Sequence, residues 1–161
     1  MENLTIDERD ALARGYFRDG YNCCQSVLLA FKDVIGLPQE TIASLSAGFG
    51  GGMGRLREVC GAMSAAVFMA GVITPSSDPS NHAERTANYA LVQQFAASFK
   101  EAQGSIICRE LLGIRASHKD SAEPSHRDTQ YYTTRPCERI VGESARMIAR
   151  QISAQTSSEP R

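Results

Sequence analysis

Five cysteines carry the reactive chemistry of this 161-residue chain: Cys23, Cys24, Cys60, Cys108 and Cys137. A thiolate attacks disulfides and binds metals, whereas a protonated, buried thiol is a small apolar residue. No two of the five make a Cys-x-x-Cys pair, so any pairing or shared ligation must cross between elements. An odd number in a chain of this size, behind the acidic opening "MENLTIDERD", argues against a disulfide-stapled secreted module. The cysteines are then core residues, metal ligands or redox thiols.

A glycine run, "GFGGGMGRLREVCGAMSAA" from Gly48 to Ala66, leads into Cys60. A phosphate-binding loop of the Walker type needs Gly-Lys-Ser or Gly-Lys-Thr at its end, and "GMGRLRE" has neither. A dinucleotide fingerprint needs a preceding strand and a glycine at its sixth place, where Met53 stands. Gly50, Gly51, Gly52, Gly54 and Gly61 are therefore read as backbone positions that shape the site and bring Cys60 toward the other sulfurs.

The elements that must position these residues read as helices. Thr5 with Glu8 makes a capping box, and Leu12, Ala13, Tyr16 and Phe17 follow at helical spacing up to Gly20. Asn22 caps a second helix with the stripe Cys24, Val27, Leu28, Phe31 and Ile35, stopped by Gly36. Pro38 opens a short third helix. A helix resumes near Arg55 and runs to about Ile73. A long one spans from about Pro79 to Lys100 or beyond, with Val92, Phe95, Ala96 and Phe99 on one face. Ser105 caps a short helix closed by Gly113, and residues 114–135 read as a long irregular loop. Pro136 opens a last helix with Cys137, Ile140, Val141, Ser144 and Ile148 inward. No segment alternates with period two over strand length. The expected fold is an all-α, single-domain bundle of about five long and two short helices over residues 1–153, with a disordered tail at 154–161.

On this map every cysteine lies near a helix N-terminus. Such an end carries roughly half a positive charge, which favours thiolates. Cys24 lies on an apolar stripe, where a lone cysteine commonly just fills space. Arg55, Glu58 and Arg109 adjoin the cysteine motifs, and either arginine can lower a thiol pKa or act as a solvated charge. His82, His118 and His126 lack metal-ligand spacing and receive no role. Tyr131 and Tyr132 sit in the long loop, where they either cover an open face or meet a partner.

The segments "GYNCCQSVLLAF", "GFGGGMGRLREVCGAMSAA" and "CRELLG", followed by Cys137, resemble the C_GCAxxG_C_C family of small bacterial and archaeal proteins. The resemblance spans about residues 15–140 and places the four signature cysteines on Cys23, Cys60, Cys108 and Cys137, with Cys24 as an extra. It departs at Ala65, where the family motif has glycine. Gly61 and Ala65 share one helix face, and alanine keeps most of the room. The resemblance implies redox activity or cofactor binding, in a setting shared with oxidoreductases and transporters.

Three readings follow. The first is thiol–disulfide or electron-transfer chemistry, with three ways of pairing four cysteines. The second is a zinc or iron–sulfur site with those four cysteines as ligands. The third is a partner-binding module that docks on an oxidoreductase. A net charge of −1 and a pI near 6.3 give no basis for a nucleic-acid partner. The longest apolar run, Val59 to Ile73, is too short for a membrane span. A cytoplasmic protein is expected, with a redox partner protein or oxidoreductase as the candidate partner. A homo-oligomer is left open.

Overall fold

Thr5 starts the first helix as its sequence dictates. In the computed structural model, which describes residues 4–158, its hydroxyl accepts from the Glu8 amide at 3.2 Å, and the Glu8 carboxylate accepts from the Thr5 amide at 2.7 Å. Helix α1 (Ile6–Arg18) follows, burying Ala13 and Phe17. Thr5→Ala removes one half of this box, and we expect a loss of about 1 kcal/mol in urea denaturation. An unchanged midpoint would mean that α1 is held by packing alone.

Asn22 and Gln25 form a second capping box at the head of α2 (Cys23–Leu29). The sequence predicts that this helix continues to Ile35. Instead it ends at Leu29 with Ala30 as its cap, and a separate turn, α3 (Lys32–Ile35), follows. The cause is Arg9, which is buried. It donates to the Ala30 carbonyl at 2.6 Å, pairs with Asp33 and lies 4.8 Å from the centre of the Phe31 ring. The Val34 amide then bonds to Phe31 instead. Pro38 leads into α4 (Gln39–Ser46) as expected.

The glycine run is not the start of a helix. Gly51, Gly52, Met53, Gly54 and Arg55 all have φ between 58° and 68°, and Arg57 has φ 60°. Successive positive φ values wind the backbone left-handed. Non-glycine residues such as Met53 and Arg55 take that conformation at roughly 1–2 kcal/mol each. The turn is closed by Arg57 N–H to Gly51 O at 3.2 Å and Glu58 N–H to Gly52 O at 3.0 Å. Helix α5 (Gly61–Ile73) therefore begins six residues later than the expected Arg55.

Helix α6 (His82–Gln103) starts at the Asn81 cap rather than at Pro79, and buries Leu91, Phe95 and Phe99. Helix α7 (Cys108–Leu112) ends at Gly113. The expected long loop contains a short helix, α8 (Thr129–Thr134), capped by Asp128. Helix α9 runs Cys137–Ser158. It thus passes the residue 153 boundary set for the bundle, and the remaining tail residues 159–161, like 1–3, lie outside the described residues.

The result is an all-α bundle. Helix α9 packs on α1, α2, α5 and α6, α2 bridges α1 and α5, and α5 lies against α6. Ile140, Val141, Ala145 and Ile148 carry the α9 side of the core, and the buried Ser144 hydroxyl donates to the Ala62 carbonyl of α5 at 2.9 Å. Among the described residues no helix is long and apolar enough to cross a membrane.

Candidate functional site

Each of the four spaced cysteines stands at the start of a helix. Cys23, Cys108 and Cys137 are the first residues of α2, α7 and α9, and Cys60 is the residue before α5. A local pairing sets two of them. Val59 and Ile107 make an antiparallel bridge, flanked by Cys60 N–H to Ile106 O at 2.8 Å and Cys108 N–H to Glu58 O at 2.6 Å. Short backbone bonds thus hold the starts of α5 and α7 side by side.

All four sulfur-bearing residues line one cavity of about 250 Å³. Gly50, Gly51, Gly52, Gly54 and Gly61 line it as well. Gly52 leaves no space for a side chain, and Gly61 leaves little. A Cβ on Gly52 would stand 2.6 Å from Cys108 Cβ, and one on Gly61 would stand 3.0 Å from the Phe49 carbonyl oxygen and 3.2 Å from Cys23 Cβ. Cys24 faces away, into an apolar groove between α2, α4 and α5.

The rest of the wall is cationic. Arg55, Arg57, Arg127 and Arg135 all line the cavity. The Arg57 guanidinium, almost fully buried, donates to Cys108 Sγ at 3.8 Å. Asp120 holds Arg57 at 2.5 Å and Arg55 at 2.9 Å. Arg55 further donates to the Ser121 carbonyl and to the Ser125 hydroxyl. The segment after Gly113 is thereby strapped to the cavity, which its Ala122, Pro124 and Ser125 line. Arg127 donates to the Phe17 and Tyr21 carbonyls and lies over the rings of Phe17 and Tyr131. Arg135 lies 4.6 Å from the centre of the Tyr131 ring. Tyr131 is thus a wall of the site, and Tyr132 packs edge-on against Phe17.

Helix N-termini alone would lower every thiol pKa. Burial outweighs that effect at Cys60 and Cys108, and at Cys23 it adds to the effect of a neighbouring thiol. Desolvation pushes Cys60 up to about 12 although the Ala62 and Met63 amides favour its anion. Cys108 is raised by burial against the pull of Arg57. Cys23 is raised, first by its hydrogen bond to Cys137 and then by burial. Cys137 alone moves down, to about 7. The Cys23 thiol donates to it, and Arg135, Arg127 and Arg57 stabilise its anion against the cost of burial. Cys24 is pushed up to about 12 by burial and stays an inert core residue.

The domain's cysteine spacing now has a geometric meaning, and it agrees with the comparison to known families. The family profile described as "Putative redox-active protein (C_GCAxxG_C_C)" matches residues 21–151. The chain belongs to the C_GCAxxG_C_C family. No curated protein and no solved structure matches it. As a C_GCAxxG_C_C protein it carries the redox description of that family, and Cys23, Cys60, Cys108 and Cys137 all fall within the matched span.

Sequence reasoning named two arginines and missed the closer ones. Arg55 does line the cavity, but Arg57 is the one that reaches a sulfur. Arg109 turns outward to Glu58 at 3.0 Å and to the Leu56 carbonyl, and neither residue lines the cavity. Arg135 was findable, because it stands two residues before Cys137 at a helix start. Asp120 and Arg127 had no local signal, since long-range loop contacts leave no periodicity. Among the described residues no group of three or more His, Cys, Asp or Glu side chains is arranged to hold a metal ion.

Proposed function

We propose that this protein exchanges electrons with disulfides through the Cys23–Cys137 pair, with Cys60 and Cys108 as further redox cysteines of the same cavity. The reading rests on Cys23 and Cys137 meeting at the starts of α2 and α9 in a cavity that Arg57, Arg127 and Arg135 also line, a setting that holds the Cys137 thiol down while its neighbour and burial hold Cys23 up. A nucleophile needs the first property, and a resolving thiol that waits in its protonated form has the second.

The reaction runs in two displacements. The Cys137 thiolate attacks one sulfur of a substrate disulfide. A bond forms between Cys137 Sγ and that sulfur, and the other leaves as a thiolate. Cys23 then gives its proton to solvent or to the departing thiolate, and its sulfur attacks Cys137 Sγ. The second substrate sulfur leaves as a thiolate, and a Cys23–Cys137 disulfide remains. Two electrons have passed from the protein to the substrate. A thiol reductant, small or protein-borne, reverses both steps and restores the pair. A partner oxidoreductase is the natural source of that reductant, and the cytoplasm is the compartment whose thiol poise suits the cycle.

Removal of the resolving thiol tests this order of events. With Cys23→Ser the first displacement proceeds and the second cannot, so a mixed disulfide on Cys137 accumulates and is seen by intact-mass and peptide spectrometry. Accumulation on Cys60 or Cys108 instead, or turnover like that of the parent, contradicts the assignment.

The convergence of four cysteines on one cavity supports a second reading, a four-thiolate iron–sulfur centre. Four thiolates are the ligand set that such a cluster takes. Cys23, Cys60, Cys108 and Cys137 would hold it, and it would supply one-electron transfer. The four helix starts and the arginines would offset its negative charge. Anaerobic purification with iron and sulfide analysis separates the readings: one cluster per chain supports the second, and an iron-free protein with disulfide exchange supports the first.

A further inference from the structure

The cavity wall holds more positive charge than the fold consumes. Four guanidiniums face it, and among the described residues the one carboxylate paired with any of them is Asp120, an excess of three positive charges. Among the described residues no aspartate or glutamate lines the cavity. Among the described residues Arg127 and Arg135 pair with carbonyls, a hydroxyl and aromatic faces, none of which cancels charge. A Cys137 thiolate takes up one of the three, so two remain beside the reacting sulfur.

Partly desolvated guanidiniums are poor company for neutral groups and good company for carboxylates, which they bind with two parallel hydrogen bonds. The cations surround the sulfurs rather than forming a separate patch, so a carboxylate would be recognised only when carried close to a disulfide. We propose that the substrates are small anionic disulfides, with carboxylates a few bonds from the S–S bond. This rests on the disulfide-exchange reading above and adds the substrate class. Arg135 and Arg127 receive the carboxylates while Cys137 attacks.

The test compares three small disulfides on the reduced full-length chain: dithiodipropionate, a dianion; hydroxyethyl disulfide, neutral; and cystamine, a dication. Loss of the free Cys137 thiol is read by mass spectrometry, and each rate is divided by that with mercaptoethanol to remove intrinsic reactivity. The dianion should react about tenfold or more faster than the neutral compound, and the dication more slowly still. The advantage should shrink as salt is raised. Arg135→Gln should reduce the anion-to-neutral ratio several-fold. A changed thiolate fraction cancels in that ratio, so a merely structural role for Arg135 would not move it. Equal normalised rates for the three compounds overturn the anion preference and leave disulfide exchange standing. Failure of all three to react overturns both.

Discussion

Cys137→Ser should lower the rate of disulfide exchange at pH 7 by about a hundredfold or more. The magnitude is scaled by taking Cys60 as the replacement nucleophile. With a pKa of about 7, half of Cys137 is thiolate at that pH. Cys60, held at about 12, is ionised in roughly one molecule in 10⁵ at that pH. A more basic thiolate is a stronger nucleophile, and with a Brønsted slope near 0.5 this recovers about 10²–10³ of the deficit. A net loss of about two orders of magnitude remains. Serine cannot replace the lost function, because its hydroxyl has no comparable anion at this pH. The same measurement on Cys60→Ser should give a change of less than about threefold in the first displacement, since the ionised fraction of Cys60 contributes almost nothing. Equal losses in both variants would mean that the cysteines act as one unit, as ligands of a single centre do.

The second large effect is structural. Gly52→Ala should destabilise the protein by about 3 kcal/mol, from two sources. Its φ of 68° costs an alanine roughly 1–2 kcal/mol. The added methyl would meet Cys108 Cβ at 2.6 Å and the backbone atoms Arg57 Cα and Glu58 N at 2.9 Å. Backbone atoms cannot rotate away, so overpacking adds about 1–3 kcal/mol more. Gly113→Ala is the matched control. It has φ 67° but nothing within 4 Å, so it should lose only the conformational part, about 1–2 kcal/mol. Urea denaturation of both variants checks the difference. Equal losses would show that the contact between the left-handed turn and Cys108 is not a constraint.

The helical skeleton was readable because caps and periodicity are local. Thr5–Glu8, Asn22–Gln25, Gly36, Gly104 and Gly113 mark helix ends by chemistry that acts within one turn. The placing of the cysteines at helix starts was readable for the same reason. What escaped was non-local. The break after Ala30 depends on Arg9, twenty-one positions earlier. The strap at the cavity depends on Asp120 meeting Arg55 and Arg57. The left-handed turn was foreshadowed by its glycines but not by Met53, Arg55 and Arg57, which share its positive φ. The thiol pKa values escaped because helix position and burial oppose each other, and burial depends on the whole fold. Only at Cys137 do a neighbouring thiol and three arginines outweigh it.

The central claim is that Cys137 is the activated sulfur of an arginine-walled cavity. It is tested most directly by the pH profile of alkylation, resolved cysteine by cysteine with mass spectrometry on the reduced native protein. The folded pKa of Cys137 is depressed, so its thiolate is present above about 7 and is lost as pH falls through that value. Its labelling rate should rise with a midpoint near 7. Cys60 and Cys24, held at about 12, should remain unlabelled across the same range. A Cys137 midpoint at or above the ordinary thiol value of 9.0, or equal labelling of Cys60, would contradict the account.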